Sequence, residues 1–382
     1  MAPMQVTAHD NSSTTLLTGV TGIVGSVLLP RLLRAYPDRP VAVLVRGIDA
    51  ADAARRFDEE AAHVGLSMEE RRRVWVCHGD VSSPCLGLST ADFERLSAET
   101  RLIFHLAASV DLSAPLDEAR RANVESTRQM LAFAEAAAVR GGLERLHFMS
   151  TAYVAGDRRG RLLETELQCG QRFWNSYEQT KAEAEELVRA TTARLPVTIY
   201  RPSMIIGETV SGRVRRFVGL YRFPRLALKG KLRLLIADPQ ARIDLIPADF
   251  VCDAMLHLAR SPGSEGRTYH LAAGTSHSLR VHEIYELLIA HDLEAKRLRE
   301  IRLVAPHDFN QVSHREQLAY RNSAAYLLMK SYQSYLSYER DFDVADTHRQ
   351  LARGGIAVPP IADVVLAGAR YALERGFADA TV

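Results

Sequence analysis

Between Thr14 and about Val251, short runs of apolar, β-branched residues alternate with longer stretches whose apolar positions recur every three or four residues. The first pattern predicts buried strands and the second amphipathic helices. Strands are expected at Thr14 to Thr18, Val41 to Val45, Val74 to His78, Leu102 to Leu106, Arg145 to Ser150 and Val197 to Tyr200. Helices are expected at Gly25 to Ala35, Asp49 to Val64, Asn123 to Val139 and Tyr177 to Ala193. Strand, helix, strand in succession builds a parallel sheet with right-handed crossovers, so the fold class is α/β, a doubly wound sheet of Rossmann type. Ligands of such sheets bind outside the carboxyl ends of the strands.

The pattern changes after Pro202. Ser211 to Ala237 holds eight Lys or Arg residues and no Asp or Glu. A strand at Ile243 to Ile246, a helix near Ala248 to Arg260 and a mostly helical stretch from about Ala305 follow. The expected organisation is a polar tail over 1–13, a nucleotide-binding domain over 14–210, and a substrate lid with a C-terminal helical region over 211–382 that partly completes the sheet. No internal repeat or low-complexity tract interrupts it.

Composition narrows the function. A hydrophobic share of 47%, a charged share of 25% and a net charge of +2 are those of an ordinary globular chain and argue against nucleic acid as a partner. The four cysteines, Cys77, Cys85, Cys169 and Cys252, lie far apart without metal-ligand spacing, so reduced thiols, no metal and a cytoplasmic location are expected. No stretch approaches the roughly 18 apolar residues of a membrane span, and Met1 to Ser13 lack the pattern of a signal peptide.

The candidate chemistry sits at predicted strand ends. Gly19-x-x-Gly22-x-x-Gly25, with Thr21, Ile23 and Val24 between, follows the first strand and opens a helix, the arrangement in which backbone N–H groups face a pyrophosphate. The second strand ends in Val45-Arg46-Gly47, without the acidic residue that would take an adenosine ribose. Arg46 offers a cation to a 2′-phosphate, with Arg56 a second phosphate partner, which favours NADP(H) over NAD. Asp80 and Val81 are placed to bracket the adenine, although Asp80 equally suits a turn. Leu106, Ala107 and Ala108 are small enough to pass beneath the cofactor. Tyr177 and Lys181 fall on one face of a predicted helix, one turn apart. A neighbouring ammonium would favour the phenolate of a tyrosine whose ordinary pKa is near ~10, and Lys181 would also hold the nicotinamide ribose. Thr151, at an adjacent strand end, supplies a hydroxyl to the same substrate oxygen.

On these motifs, together with Asn123-Val124, Tyr200 to Gly207 and Asp244 to Asp249, the chain resembles the extended short-chain dehydrogenase/reductases. Within them it is most similar to fatty acyl-CoA reductases and to thioester reductase domains of carboxylic acid reductases and nonribosomal peptide synthetases. The resemblance implies Thr151, Tyr177 and Lys181 as catalytic residues, closure of Pro202, Ser203 and Met204 over the nicotinamide, and NADPH-dependent reduction of an acyl thioester to an aldehyde, with a further step to an alcohol open. Ser126 stands where these families commonly have the glycine of an Asn-Val-x-Gly-Thr run, and Glu339 to Asp343 is faintly like the C-terminal region of fatty acyl-CoA reductases.

The basic run Arg213, Arg215, Arg216, Arg222, Arg225, Lys229, Lys231 and Arg233 fits an entrance for acyl-CoA phosphates or an acidic acyl carrier protein. A solvated lid face, or contact with a membrane surface through the interleaved Phe217, Leu220, Tyr221, Phe223 and Leu226, are the alternatives. Rival functions are an extended short-chain dehydrogenase acting on a secondary alcohol, ketone or nucleotide sugar, and a non-catalytic NADP sensor.

Overall fold

The computed structural model describes residues 13–291 and 298–378. The expected N-terminal tail therefore lies, except for Ser13, outside the described residues.

Seven strands form one parallel sheet: β1 (Thr14–Thr18), β2 (Val41–Val45), β3 (Val74–His78), β4 (Thr100–His105), β5 (Arg145–Met149), then β7 (Val197–Pro202) and β12 (Thr268–Leu271). Their spatial order is β12-β7-β5-β4-β1-β2-β3. Every neighbouring pair is parallel. The order reverses between β1 and β4, and that crevice is where a doubly wound sheet takes its ligand. Leu16, Leu17, Val43, Ile103, Phe104 and Phe148 are fully or almost fully buried, because helices cover both faces. The helices are α1 (Ile23–Ala35), α2 (Ala50–Val64), α3 (Met68–Arg72), α4 (Thr90–Glu99), α5 (Leu116–Arg120), α6 (Ser126–Gly141), α7 (Ser176–Arg189), α8 (Arg222–Leu228), α9 (Ala248–Arg260) and α10 (Val281–Ala290).

Short pairings tie later segments to this frame. The two-residue β6 (Arg161–Leu162) pairs with β15 (Asp341–Phe342), and β8 (Met204–Ile206) pairs with β11 (Leu245–Pro247). In the same region β9 (Leu234–Ile236) pairs with β14 (Arg302–Val304), and β10 (Arg242–Ile243) with β13 (Leu279–Arg280). The single strand expected at Ile243 to Ile246 is thus two, broken at Asp244. That buried carboxylate leaves the ladder to accept the Ser203 hydroxyl at 2.5 Å and the Ala273 and Gly274 N–H groups at 2.8 Å each. Beyond residue 305 the chain is mostly helical, with helices at His314–Arg321, Ala324–Ser337, Ala345–Ala352 and Ile361–Glu374.

Candidate active site

The glycine loop leaves β1 and enters α1 with almost no space for side chains. A Cβ on Gly25 would lie 2.1 Å from the Gly19 carbonyl oxygen, and one on Gly19 would lie 2.8 Å from the Ala107 nitrogen. Gly19 also has a φ of +75°, a left-handed conformation natural to glycine. The N-cap of α1 is Gly22, which makes no side-chain cap, and the first turn holds no acidic residue. Its N–H groups are left for an anion. Thr18 fastens the floor of this cradle. Its hydroxyl oxygen accepts from the Leu106 and Ala107 N–H groups at 3.2 Å each and lies 2.9 Å from His105 Nδ1. With two N–H groups already donating to it, the hydroxyl donates to Nδ1, so His105 is the neutral tautomer protonated at Nε2. Burial pushes the His105 pKa down to about 3, in keeping with that neutral state.

Around the outer part of the cradle the predicted residues fare unequally. Arg46 is exposed just past β2, and its carbonyl accepts from Arg56 Nη1 at 2.6 Å. Arg56 thus braces Arg46 at its backbone through Nη1, while no partner among the described residues holds the Arg46 guanidinium. Asp80 forms a turn: its Oδ1 accepts from Ser82 N–H at 2.9 Å and Ser82 Oγ–H at 2.8 Å. Val81 packs beside it against the core under β2 and β4. Thr21, Ile23 and Val24 lie along the glycine loop and the start of α1, and Ala108 is exposed at the crevice.

The predicted catalytic residues converge at the ends of β5 and β7. Thr151 is 2% exposed; its hydroxyl donates to the Pro202 carbonyl at 3.4 Å and accepts from the Tyr153 N–H at 3.3 Å. Its side chain stands near enough to the Tyr177 phenol to favour the ionised form. Tyr177 occupies the first turn of α7, for which Asn175 is the N-cap, accepting from Glu178 N–H. Burial pushes the Tyr177 phenol up to about 12, and the neighbouring Thr151 side chain opposes the rise. The expectation that Lys181 draws Tyr177 toward phenolate is not met in this arrangement. Lys181 Nζ instead donates to the Met149 carbonyl at 2.7 Å and lies 4.6 Å from the Phe148 ring centre, and burial lowers its pKa to about 8.

Two groups that sequence reasoning did not assign to the site hold it in place. Asn123, in a π-helical turn between α5 and α6, accepts the Ser109 N–H at 2.8 Å and donates to the Thr180 hydroxyl at 3.0 Å. It links the loop after β4 to α7. Glu185, fully buried on α7, accepts from Arg201 Nη2 at 2.7 Å, Arg189 Nε at 2.9 Å and Ser150 Oγ at 2.6 Å. Burial would raise its carboxyl, but the two guanidiniums and Ser150 hold it below the ordinary carboxylate range. Only the type of Glu185 was visible in the sequence; Arg189 is its neighbour on α7, but Arg201 and Ser150 come from two other segments.

The segment expected to form a lid departs from expectation at Arg215. That residue is 8% exposed and buried against the Glu60 carboxylate on α2, which has no exposure at all, so it anchors this segment to α2 and is not part of an open basic face. Arg213 is paired with Glu208 at 2.8 Å. Arg216, Arg222, Arg225, Lys229, Lys231 and Arg233 do face solvent. Phe217 and Phe223 point inward, at 3% and 7% exposure, which removes two of the side chains a membrane contact would use. No helix of the described residues is long and apolar enough to cross a membrane. Beneath this segment lies an apolar cavity of about 190 Å³ whose walls include Ile206, Phe223, Leu245, Tyr285, Val364 and Phe377. None of Thr151, Tyr177 and Lys181 lines it, but Ile206 is only two residues along β8 from Met204.

The model of a family of NAD-binding domains described as male sterility protein matches residues 17–255, a span from β1 into α9 that holds the glycine loop and Thr151, Tyr177 and Lys181. The chain belongs to this family. Its relatives include a nonribosomal peptide synthetase, asaC, of Aspergillus flavus, 30% identical over 68% of this chain and 26% of the relative. Fatty acyl-CoA reductase 1 of Pongo abelii is 31% identical over 64% of this chain and 54% of the relative. Among solved structures, the terminal R domain from the myxalamid PKS-NRPS biosynthetic pathway superposes with a TM-score of 0.81 at 29% identity, covering 97% of this chain and 93% of that one. The chain spans about a quarter of the synthetase's length. The family is one of NAD-binding domains, and the tight Gly19, Gly22 and Gly25 cradle with its uncapped helix fits such a group.

Proposed function

We propose that this chain is an NADPH-dependent oxidoreductase that reduces an acyl thioester, carried by coenzyme A or by a carrier protein, to an aldehyde. Residues 14–210 carry the nucleotide, and 211–382 supply the substrate lid and a C-terminal helical region, with β12 completing the sheet. The observation that carries this reading is the convergence of Thr151 and Tyr177 beside the glycine cradle, in a family whose relatives include a fatty acyl-CoA reductase and a synthetase.

When bound, the nicotinamide supplies hydride to the thioester carbonyl carbon. The chain's own part is electrostatic and acidic. The Thr151 and Tyr177 hydroxyls donate to the carbonyl oxygen as negative charge grows on it, and Tyr177, protonated at neutral pH, gives up its proton there. The resulting hemithioacetal collapses to aldehyde and free thiol. Lys181 is placed to hold the nicotinamide ribose, and Pro202, Ser203 and Met204 to close over the ring. Arg46, with its guanidinium unengaged, is placed for the 2′-phosphate that distinguishes NADPH. The apolar cavity suits the hydrocarbon of an acyl group, being somewhat larger than the roughly 150 Å³ cavity that accepts benzene. The exposed cations of the lid suit the phosphates of coenzyme A or an acidic carrier protein.

The deciding experiment follows NADPH consumption with acyl-CoAs, acyl-loaded carrier proteins, sugar nucleotides and ketones. Turnover confined to thioesters is expected. Tyr177→Phe should lose about a hundredfold or more in rate with NADPH affinity nearly unchanged; retained activity would remove Tyr177 from the mechanism.

A further inference from the structure

Tyr177 stands in the first turn of α7, and the groups that hold that turn come partly from a segment some 160 residues further along the chain. Glu178, the next residue, is fully buried. Its Oε2 accepts the Trp174 N–H at 3.1 Å, whereas Oε1 has no hydrogen bond and faces Arg340 Nη2 at 3.9 Å. Arg340 is itself 8% exposed. Its guanidinium lies 5.1 Å from the ring centre of Tyr153 and 5.4 Å from that of Tyr335. It donates to the carbonyls of Ser334 at 3.2 Å and Gly156 at 3.5 Å, and its Nε has no partner. Tyr153 is the residue whose N–H donates to Thr151, and Tyr335 accepts from the Asn175 side chain, the N-cap of α7, at 3.0 Å. One guanidinium therefore adjoins the residue next to the catalytic tyrosine and the aromatic residue two after the catalytic threonine.

We propose that Arg340 is a positioning residue, which through Glu178 on one side and Tyr153 on the other sets the placement of Tyr177 against Thr151. The proposal rests on the reading of Tyr177 as proton donor. Its physical basis is that a buried carboxylate that loses its counter-charge either takes up a proton or breaks out of its site. Burial already drives the Glu178 carboxyl up, and Arg340 opposes it. The groups that face this cluster are Thr151 and Glu178 on Tyr177, Arg340, Tyr335 and Asn175 on Glu178, and Arg340, Asp244, Glu178 and Tyr177 on Tyr153. Lys181, one turn along α7, is engaged with Met149.

The test uses the full chain with Arg340→Met, Arg340→Lys, Glu178→Gln and the Arg340→Met/Glu178→Gln pair. Arg340→Met should lower kcat about tenfold at mildly alkaline pH through misplacement of Tyr177, with KM for NADPH unchanged. Its kcat profile should show the Glu178 ionisation moved up by about one pH unit or more, turnover falling as pH rises and Glu178 becomes an unpaired buried anion. The paired variant should lose that ionisation and regain most of kcat, and Arg340→Lys should keep the parent profile. An unshifted profile in Arg340→Met, or no rescue by Glu178→Gln, overturns the proposal. NMR of isotope-labelled tyrosine, with the Tyr177 signal assigned through Tyr177→Phe, reads the same coupling without substrate. There Glu178→Gln, which keeps the acceptor for Trp174, should lower the titration point of Tyr177. When Arg340→Met fails to fold, that measurement tests the Glu178 arm of the proposal, which an unmoved Tyr177 titration point overturns, and it does so even where the parent enzyme reduces no thioester.

Discussion

Replacing Gly25 by alanine perturbs the nucleotide site by a single methyl group whose surroundings are all backbone. The added carbon would sit 2.1 Å from the Gly19 oxygen, 2.7 Å from the Gly19 carbonyl carbon and 2.8 Å from the Val20 Cα. The closest approach is more than an ångström inside ordinary contact, and no side-chain rotation can relieve it. Nor can the loop step back, since the Cβ position of Gly19 is already 2.8 Å from the Ala107 nitrogen. Relief has to come from withdrawal of α1 or displacement of the loop, and either carries the uncapped N–H groups away from the pyrophosphate. Overpacking should cost about 1–3 kcal/mol in stability. Losing the equivalent of one charge-assisted hydrogen bond, about 1.5–3 kcal/mol, should weaken NADPH binding by about one to two orders of magnitude. Fluorescence titration of NADPH alongside thermal unfolding measures both. Gly22→Ala is the control, because its Cβ would meet only the Gly19 oxygen, at 3.1 Å, and its effect should be several-fold smaller. Parent-like affinity and Tm in Gly25→Ala would refute the claim that this close packing shapes the site.

Two further outcomes are expected. Arg215→Met strands the buried Glu60 carboxylate and should cost about 3–5 kcal/mol in chemical denaturation, leaving the thioester KM and its salt dependence unchanged; intact stability with a salt-dependent rise in KM would return Arg215 to the substrate entrance. Burial lowers His105 and His147 to about 3 from 6.5, so the unfolded chain takes up protons first and the stability present above pH 6.5 drains away as pH falls toward about 3. The urea midpoint should accordingly drop between pH 7 and about 5, and drop less in His147→Phe; an equal drop in the variant would show that His147 is not a source of it.

β1, β2 and β3 have the bounds that their apolar runs predict. β1 and β2 are buried throughout, so no polar alternation blurs them, while β3, at the sheet edge with only Val74 buried, is still marked by its own Val-Trp-Val run. β12, with its mixed Thr-Tyr-His-Leu, went unseen because its place at the sheet edge depends on pairing with β7 and not on its own pattern. The site shows the same division. Gly19, Thr151, Tyr177 and Lys181 are readable from local order, but the burial of Arg215 against Glu60 and the approach of Arg340 to Glu178 join residues far apart in the chain. A basic run looks alike in sequence whether its side chains meet water or a hidden carboxylate. Asp80, likewise, was open between adenine contact and turn, and its bonds to Ser82 are those of a turn.

The pairing of β15 with β6 sets an order of events in synthesis. A chain growing from its N terminus completes the glycine cradle and Tyr177 long before Asp341 and Phe342 are made to add onto Arg161 and Leu162. Arg340 arrives with them. The residues that brace the first turn of α7 are thus translated well after the glycine loop and Tyr177 themselves.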